Sequence, residues 1–484
     1  MSLNLIRNAR VFFSTNVNAV TGVINALGCT TSNTFEIQVL DGLSFSQNTS
    51  SETVTLSEGG DTPVRGQRSF NTALDPVDFS FSTYMRPRDG GTNITAEESV
   101  LWNAMFAVDA IGGTNPSWSE APSVATAVTI NSQKHQLQKF GLIILLDGSS
   151  YAIDNCVLDT ATVDFGLDAI ATIAWTGKGT ILRQIPGLAA STGGTVTFSG
   201  AGNSEVQTLT VNATAGTYTI TYSGQTTSAI AFNAVAATVQ SALEALSNIA
   251  PGDVIVSGGV GAGGGGTPYT LTWNAGLGNV AQPTTTTSLT GGTSTATFAT
   301  TTPGVTPILT GSAKGKNTTA PFIANKLSTL EVTSGIDGVG TAYTIALTGG
   351  SLTISNNVSY LTPANLGVVN LPATYFTGTR SITGSLTAYL RTGALNSAGL
   401  LADMLASSTS EVDPEFLVLV AVGGVANSVK VEFEMPACVL TIPAISTDQV
   451  VSVNINFTAQ GSTASAFDIG AANELEIRYY HPNT

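Results

Sequence analysis

Residues 156–179 read CVLDTATVDFGLDAIATIAWTGKG, and residues 438–461 read CVLTIPAISTDQVVSVNINFTAQG. Laid over each other without a gap, both open on Cys-Val-Leu (Cys156, Cys438). Trp175 then falls on Phe457, and Gly179 on Gly461. Each stretch alternates apolar with small polar residues, the period of strands that bury one face. A spacing of several hundred residues is far beyond the roughly 20–50 of a solenoid repeat. The pair therefore marks a duplicated β domain.

The flanks repeat in the same order. Residues 35–40 alternate as a strand, Asp41-Gly42 turns, and 43–47 form a second strand. A long loop over 57–71 leads to a strand at 79–85. A helix is predicted over 95–106, capped by Thr95 with Glu98 as its capping-box partner. An apolar strand at 142–146 precedes the 156–179 stretch. Downstream come strands at 343–347 and 351–357, a loop at 361–379, a strand at 386–391, a helix at 397–405, an apolar strand at 416–420, then 438–461. Residues 81–86 match 386–391, and 42–48 match 351–357.

Between Arg183 and Lys314 there is no Lys or Arg, and only three acidic residues, Glu205, Glu244 and Asp253. This break bounds a separate module. Residues 205–211 and 216–222 alternate as a predicted hairpin, 236–246 as an amphipathic helix, and 254–256 and 269–273 as strands. The Thr runs at 284–287 and 300–302 suit linkers or edges. The expected fold is mainly β. Two tandem homologous domains, 1–190 and 309–484, each form a sandwich or barrel with a flanking helix. A small immunoglobulin-like or α+β domain, 191–308, stands between them.

Of the 484 residues only 10% are charged, against about 25% in ordinary globular proteins, while 42% are hydrophobic. So low a charge points to surfaces covered by neighbours. The net charge of −15 argues against binding nucleic acid through its phosphates. Three cysteines make no disulfide framework. Cys156 and Cys438 read as buried small hydrophobes, and Cys29 as partly exposed. The first residues lack the apolar run and cleavage site of a signal peptide, and no stretch is long enough for a membrane helix. This speaks against the alternative reading, a bacterial surface adhesin or appendage subunit that binds through its middle module.

Catalytic chemistry finds little material. His135 and His481 lack Cys or His partners at ligand spacing, so no zinc site, triad or cofactor is expected. Residues 259–264 fit GxGxxG, but the next predicted element is a strand rather than a helix, so a hairpin loop is expected. Asp147, Asp154, Asp159, Asp164 and Asp168 read as solvated strand and turn carboxylates, and Arg65 and Arg68 as ion-pair partners between subunits.

Residues 1–12, 58–71 and 79–84, with 349–357, 360–363 and 383–390 in the second copy, resemble major tail tube proteins of long, non-contractile-tailed bacteriophages. The resemblance implies the subfamily with duplicated domains, in which three chains form a pseudo-hexameric ring and rings stack into a tube. Strands line an inner barrel, a helix lies outside, and the long early loop reaches the next ring. By position that loop is 57–71, with Glu58, Asp61, Arg65, Arg68 and Phe70 as contact candidates. The implied partners are other copies of the chain, a tape-measure protein, tail terminator and tail tip proteins, with DNA passing through the lumen unbound. The implied location is the virion tail, assembled in the host cytoplasm. Residues 191–308 depart from this pattern and resemble a module of phage and bacterial surface proteins, expected on the tube exterior with a possible host contact. An acidic lumen would let DNA slide, so the negative charge is expected to concentrate on lumen-facing positions.

Overall fold

The computed structural model describes residues 9–480 except 19–21, 25–26, 55–67, 90–93, 107–118, 122–124, 130–136, 147–148, 186–188, 201–203, 260–266, 275–276, 305–308, 317–319, 336–339, 365, 367–368, 411–414, 425–428, 447–449 and 462–473. The first copy contains β1 (Arg10–Ser14), β2 (Thr34–Ile37), β3 (Ser44–Ser46), β4 (Val77–Tyr84), α1 (Ser99–Phe106), β5 (Phe140–Leu145), β6 (Ser150–Asp164), β7 (Thr172–Gly179) and β8 (Ile181–Ile185). Strand β6 belongs to two layers. Its first half pairs with β5 and β8, and its second half with β7. The crossing falls at a bulge opposite Phe140 and Leu142, where Asn155 takes φ 51°. An extra residue bends a strand and lets it pass between layers. The Cys156 thiol donates to the Ile153 carbonyl at this bend, at 3.3 Å. All six residues of β5 are buried, as a strand covered on both faces requires.

The middle segment carries β9 (Thr195–Gly200), β10 (Val206–Asn212), β11 (Ala215–Tyr222), α2 (Ala236–Glu244), β12 (Val254–Gly258), β13 (Tyr269–Trp273), β14 (Thr284–Thr290), β15 (Thr295–Thr302) and β16 (Leu309–Lys314). Strands β9 and β16 pair with each other and pack Val196, Phe198, Leu309 and Ala313 onto the back of the first copy, against Phe12 and Ile143. Beyond them, two antiparallel sheets and α2 close around a separate core that includes Leu209, Ile220, Leu243 and Trp273. Buried Glu205 ties the two ends of this module, accepting from Gln207 Nε2 at 2.6 Å and from the Gly304 N–H at 3.4 Å. The hairpin expected from 205–222 is not formed. Strand β10 pairs with β13 and β15, and β11 with β14. Alternation assigns a face to each strand but names no partner. The Thr runs lie within β14 and β15.

The second copy contains β17 (Thr329–Ser334), β18 (Ala342–Ile345), β19 (Leu347–Ser355), β20 (Ser381–Tyr389), α3 (Ser397–Ser410), β21 (Glu415–Gly423), β22 (Lys430–Ser446), β23 (Ser452–Gln460) and β24 (Glu476–Tyr480). The pairings repeat those of the first copy one for one, including the bulge before Cys438. Register corrects the ungapped match, however. Cys156 and Cys438 face Phe140 and Phe416 in the same way, so β6 and β22 differ by 282. Leu158 then lies opposite Gly177, whereas Leu440 lies opposite Phe457, so β7 and β23 differ by 280. The connection is two residues shorter in the second copy, running 447–451 against 165–171. Trp175 therefore corresponds to Ile455, and Phe457 to Gly177.

The same ladders show a compensating exchange. Gly177 lies opposite Phe79 on β4, while its counterpart Phe457 lies opposite Gly384, the counterpart of Phe79. A Cβ on Gly177 would sit 2.3 Å from Phe79 Cζ, and one on Gly384 would sit 2.1 Å from Phe457 Cζ. Each pair has room for one ring, covered by a glycine from the facing strand.

Candidate assembly surface

The two copies form one sheet. The second half of β6 hydrogen-bonds to β19 of the second copy, with Thr160 opposite Ser355, Thr162 opposite Thr353 and Asp164 opposite Ser351. Eight strands then run side by side in the order β3–β4–β7–β6–β19–β20–β23–β22. The copies also share one hydrophobic core. Trp102 of α1 lies 6.5 Å from Phe433 of β22, and its indole N–H donates to the Tyr479 hydroxyl at 2.7 Å. Asn356 donates to the carbonyls of Met105 (3.0 Å) and Leu158 (3.3 Å), and Asp159 Oδ1 accepts from the Val358 N–H at 2.7 Å. Buried Arg86 donates through Nε to the Ala320 carbonyl at 3.1 Å and lies over the Phe322 ring. Residues 125–129 of the first copy add a strand to β24 of the second.

The eight-strand sheet packs one face on this core and leaves the other open. The open face is built of hydroxyls and amides. Thr160 and Thr176 share a hydrogen bond of 2.6 Å, Thr162 and Thr353 one of 3.2 Å across the junction of the copies, and Ser385 donates to Asn454 at 3.1 Å. Such cross-strand pairs tie neighbouring strands together. Among the described residues this face carries Asp78, Asp159, Asp164 and Lys178 as its charged strand positions, with Lys178 and Asp78 paired at 2.6 Å. Those positions are three carboxylates and one ammonium. Several of the acidic residues are engaged elsewhere by cations: Glu36 with Arg10, Asp154 with Arg183, Glu474 with Arg380, and Glu434 and Glu476 with Arg478.

Two shallow depressions, of about 210 and 330 Å³, lie at equivalent places on the open face. The first gathers two carboxylates, but Asp78 is held by Lys178 and Asp159 by the Val358 N–H. The second is lined by Ser, Thr, Asn, Gly and Phe. Among the described residues no group of three His, Cys, Asp or Glu could hold a metal ion.

The residues singled out in the sequence fall as follows. Arg68 and Phe70 are exposed on the hairpin Thr49–Val54/Arg68–Leu74, with Phe70 57% exposed. Glu58, Asp61, Arg65, Asp147, His135 and His481 lie outside the described residues, as does most of the GxGxxG stretch, which links antiparallel β12 and β13. The hairpin meets the loop of the second copy: the Leu74 N–H donates to the Asn370 carbonyl at 2.8 Å. Cys156, Trp175, Cys438 and Phe457 are buried, and burial pushes both thiols up and out of reactive range. Cys29, expected to be partly exposed, is buried in a short strand paired alongside β16. Asp154 is no solvated carboxylate. It is buried, pairs with Arg183 at 2.6 Å and accepts the Ile24 N–H.

Sequence reasoning also missed the role of Glu98. It does not close a capping box, because Thr95 lies in a short strand and the helix starts at Ser99. Its carbonyl accepts the first helical N–H groups, while its buried carboxyl accepts from the Tyr479 hydroxyl. Desolvation raises its pKa to about 8. No local pattern could reveal a partner 381 residues away.

No protein-family model matches the chain. The chain is similar to the tail tube protein pb6 of Escherichia phage T5, 26% identical over 481 residues that cover 97% of this chain and 75% of the relative. The similarity runs through both copies and supports the resemblance to tail tube proteins drawn from the residues.

Proposed function

We propose that the chain is a structural subunit of a bacteriophage tail tube, that three copies close into a pseudo-hexameric ring, and that rings stack into a tube that conducts DNA. The observation that carries this reading is the single sheet spanning both copies. It ends in two bare edges: among the described residues, nothing pairs with the outer side of β3 or of 444–446 in β22. Bare edges invite pairing with another chain. A head-to-tail contact closes into a ring when its rotation allows. Three chains would give a barrel of 24 strands, eight from each. Barrels of 16–18 strands already leave an aqueous channel, so this one would be open.

The open hydroxyl face would line that channel. DNA carries one negative charge per about 1.7 Å. A sparsely charged lining, with its one lysine paired to Asp78, offers it neither free cations to bind nor dense anions to climb past. The subunit is read as non-enzymatic, acting in the virion tail with the tape-measure, terminator and tip proteins as neighbours. Residues 191–308 would form a domain between the two tube domains and decorate the exterior, because β9 and β16 leave from the back sheet, away from the open face. Host-surface contact would be their task. Native mass spectrometry of the purified protein tests the ring: multiples of three times 49.4 kDa are expected, and a monomer at all concentrations would refute it.

A further inference from the structure

The junction between the two copies is a template for the junction between two chains. Resting on the reading above, we infer that β22 of one chain pairs antiparallel with β3 of the next, in a register fixed by the internal β6–β19 ladder. Residue by residue, β22 follows β6 with an offset of 282. Strand β3 precedes β19 by 307, two fewer than the match of 42–48 with 351–357 implies, because Phe45 faces Phe79 where Leu352 faces Gly384. Transferring Thr162–Thr353, Val163–Leu352 and Asp164–Ser351 places Ala444 opposite Ser46, Ile445 opposite Phe45, and Ser446 opposite Ser44.

Exposure identifies the missing neighbour as a second copy of this chain. Val157 and Val163 are fully buried where the second copy covers β6. Their counterparts at the sheet edge, Val439 and Ile445, are 37% and 47% exposed. The helices differ in the same sense. Helix α1 buries Leu101, Trp102, Ala104, Met105 and Phe106, whereas the longer α3 buries Ser397, Leu400 and Met404 and leaves Leu405 exposed. Apolar residues left exposed on this edge match the side that the internal junction covers. In the transferred register Ile445 meets Phe45, an apolar pair on the core side, as Val163 meets Leu352.

Facing residues in antiparallel strands have Cα atoms about 4.5–5.5 Å apart, within disulfide reach. The test is therefore a cysteine pair in the full chain, Ser46→Cys with Ala444→Cys, oxidised after assembly and compared with Ser44→Cys with Ala444→Cys, which is two residues out of register. The native cysteines are buried and should not interfere. The in-register pair is expected to give covalent species of two and three chains on a denaturing gel, and the shifted pair at least ten-fold less. Tubes that form yet crosslink only through the shifted pair, or through neither, would overturn the register and leave the tube reading standing. Failure of the unsubstituted protein to assemble would refute both. Ile445→Lys should abolish ring formation while leaving the thermal midpoint of the dissociated chain unchanged. Rings of normal yield from that variant would also contradict the inference.

Discussion

Glu98 shows how one side chain can fasten two copies together. Its carboxyl is buried against the Tyr479 hydroxyl, which itself accepts from Trp102. It ionises near 4.5 when unperturbed and only near 8 in the fold. The fold thus prefers the protonated acid. This contribution is complete below about pH 4.5 and is lost as pH rises through about 8, at up to about 1.4 kcal/mol per pH unit. Thermal melts from pH 5 to 9 should show the native chain losing stability relative to Glu98→Gln, and parallel curves would contradict this account. The glycine–aromatic pairs give a second residue-scale test. Gly177→Phe alone should destabilise by about 1–3 kcal/mol through overpacking. Adding Phe79→Gly relieves the ring clash but leaves the Val157 carbonyl oxygen 2.5 Å from the new Cβ, so it should recover part of the loss in denaturant titrations.

At the scale of elements, much was legible in the sequence and some was not. Period-2 alternation located β4, β7 and β23 because each buries one face of an exposed sheet. The apolar run at 142–146 gave β5 because a strand covered on both faces loses alternation, and the run at 416–420 gave β21, whose burial alternates although its sequence does not. Three things escaped. The ungapped match of Trp175 with Phe457 failed because a turn shortened by two residues preserves the strand parity that alternation reports. The 205–222 hairpin failed because partner choice is set by the core of the module. The junction β6–β19 was unreadable because it pairs residues almost two hundred positions apart. The paired ends of β9 and β16, with Gly200 opposite Leu309, lead to a further expectation. Replacing 201–308 by a two-residue Asn-Gly turn should leave assembly intact. Electron micrographs should then show tubes of smaller outer diameter and unchanged lumen, and loss of assembly would place the module in the tube wall.

For the whole molecule, low charge and hydroxyl abundance acquire a common physical sense. A surface that faces other chains cannot afford unpaired charges, and among its described charged strand positions the open face keeps only Asp159 and Asp164 outside an ion pair. Adding cations there, as in Thr162→Arg with Ser385→Arg, should slow DNA release from particles at low salt and restore it at high salt, since phosphate binding weakens with ionic strength. Equal release rates at all salt concentrations would argue that this face does not meet DNA. The most direct measurement for the account as a whole is cryo-electron microscopy of the assembled protein. It should show a hollow tube of stacked rings with three-fold symmetry and six similar lobes, a continuous barrel bearing the Ser/Thr face inward, and β22 joined to β3 of the neighbouring chain. Solid fibres, or rings whose open sheet face points outward, would contradict it.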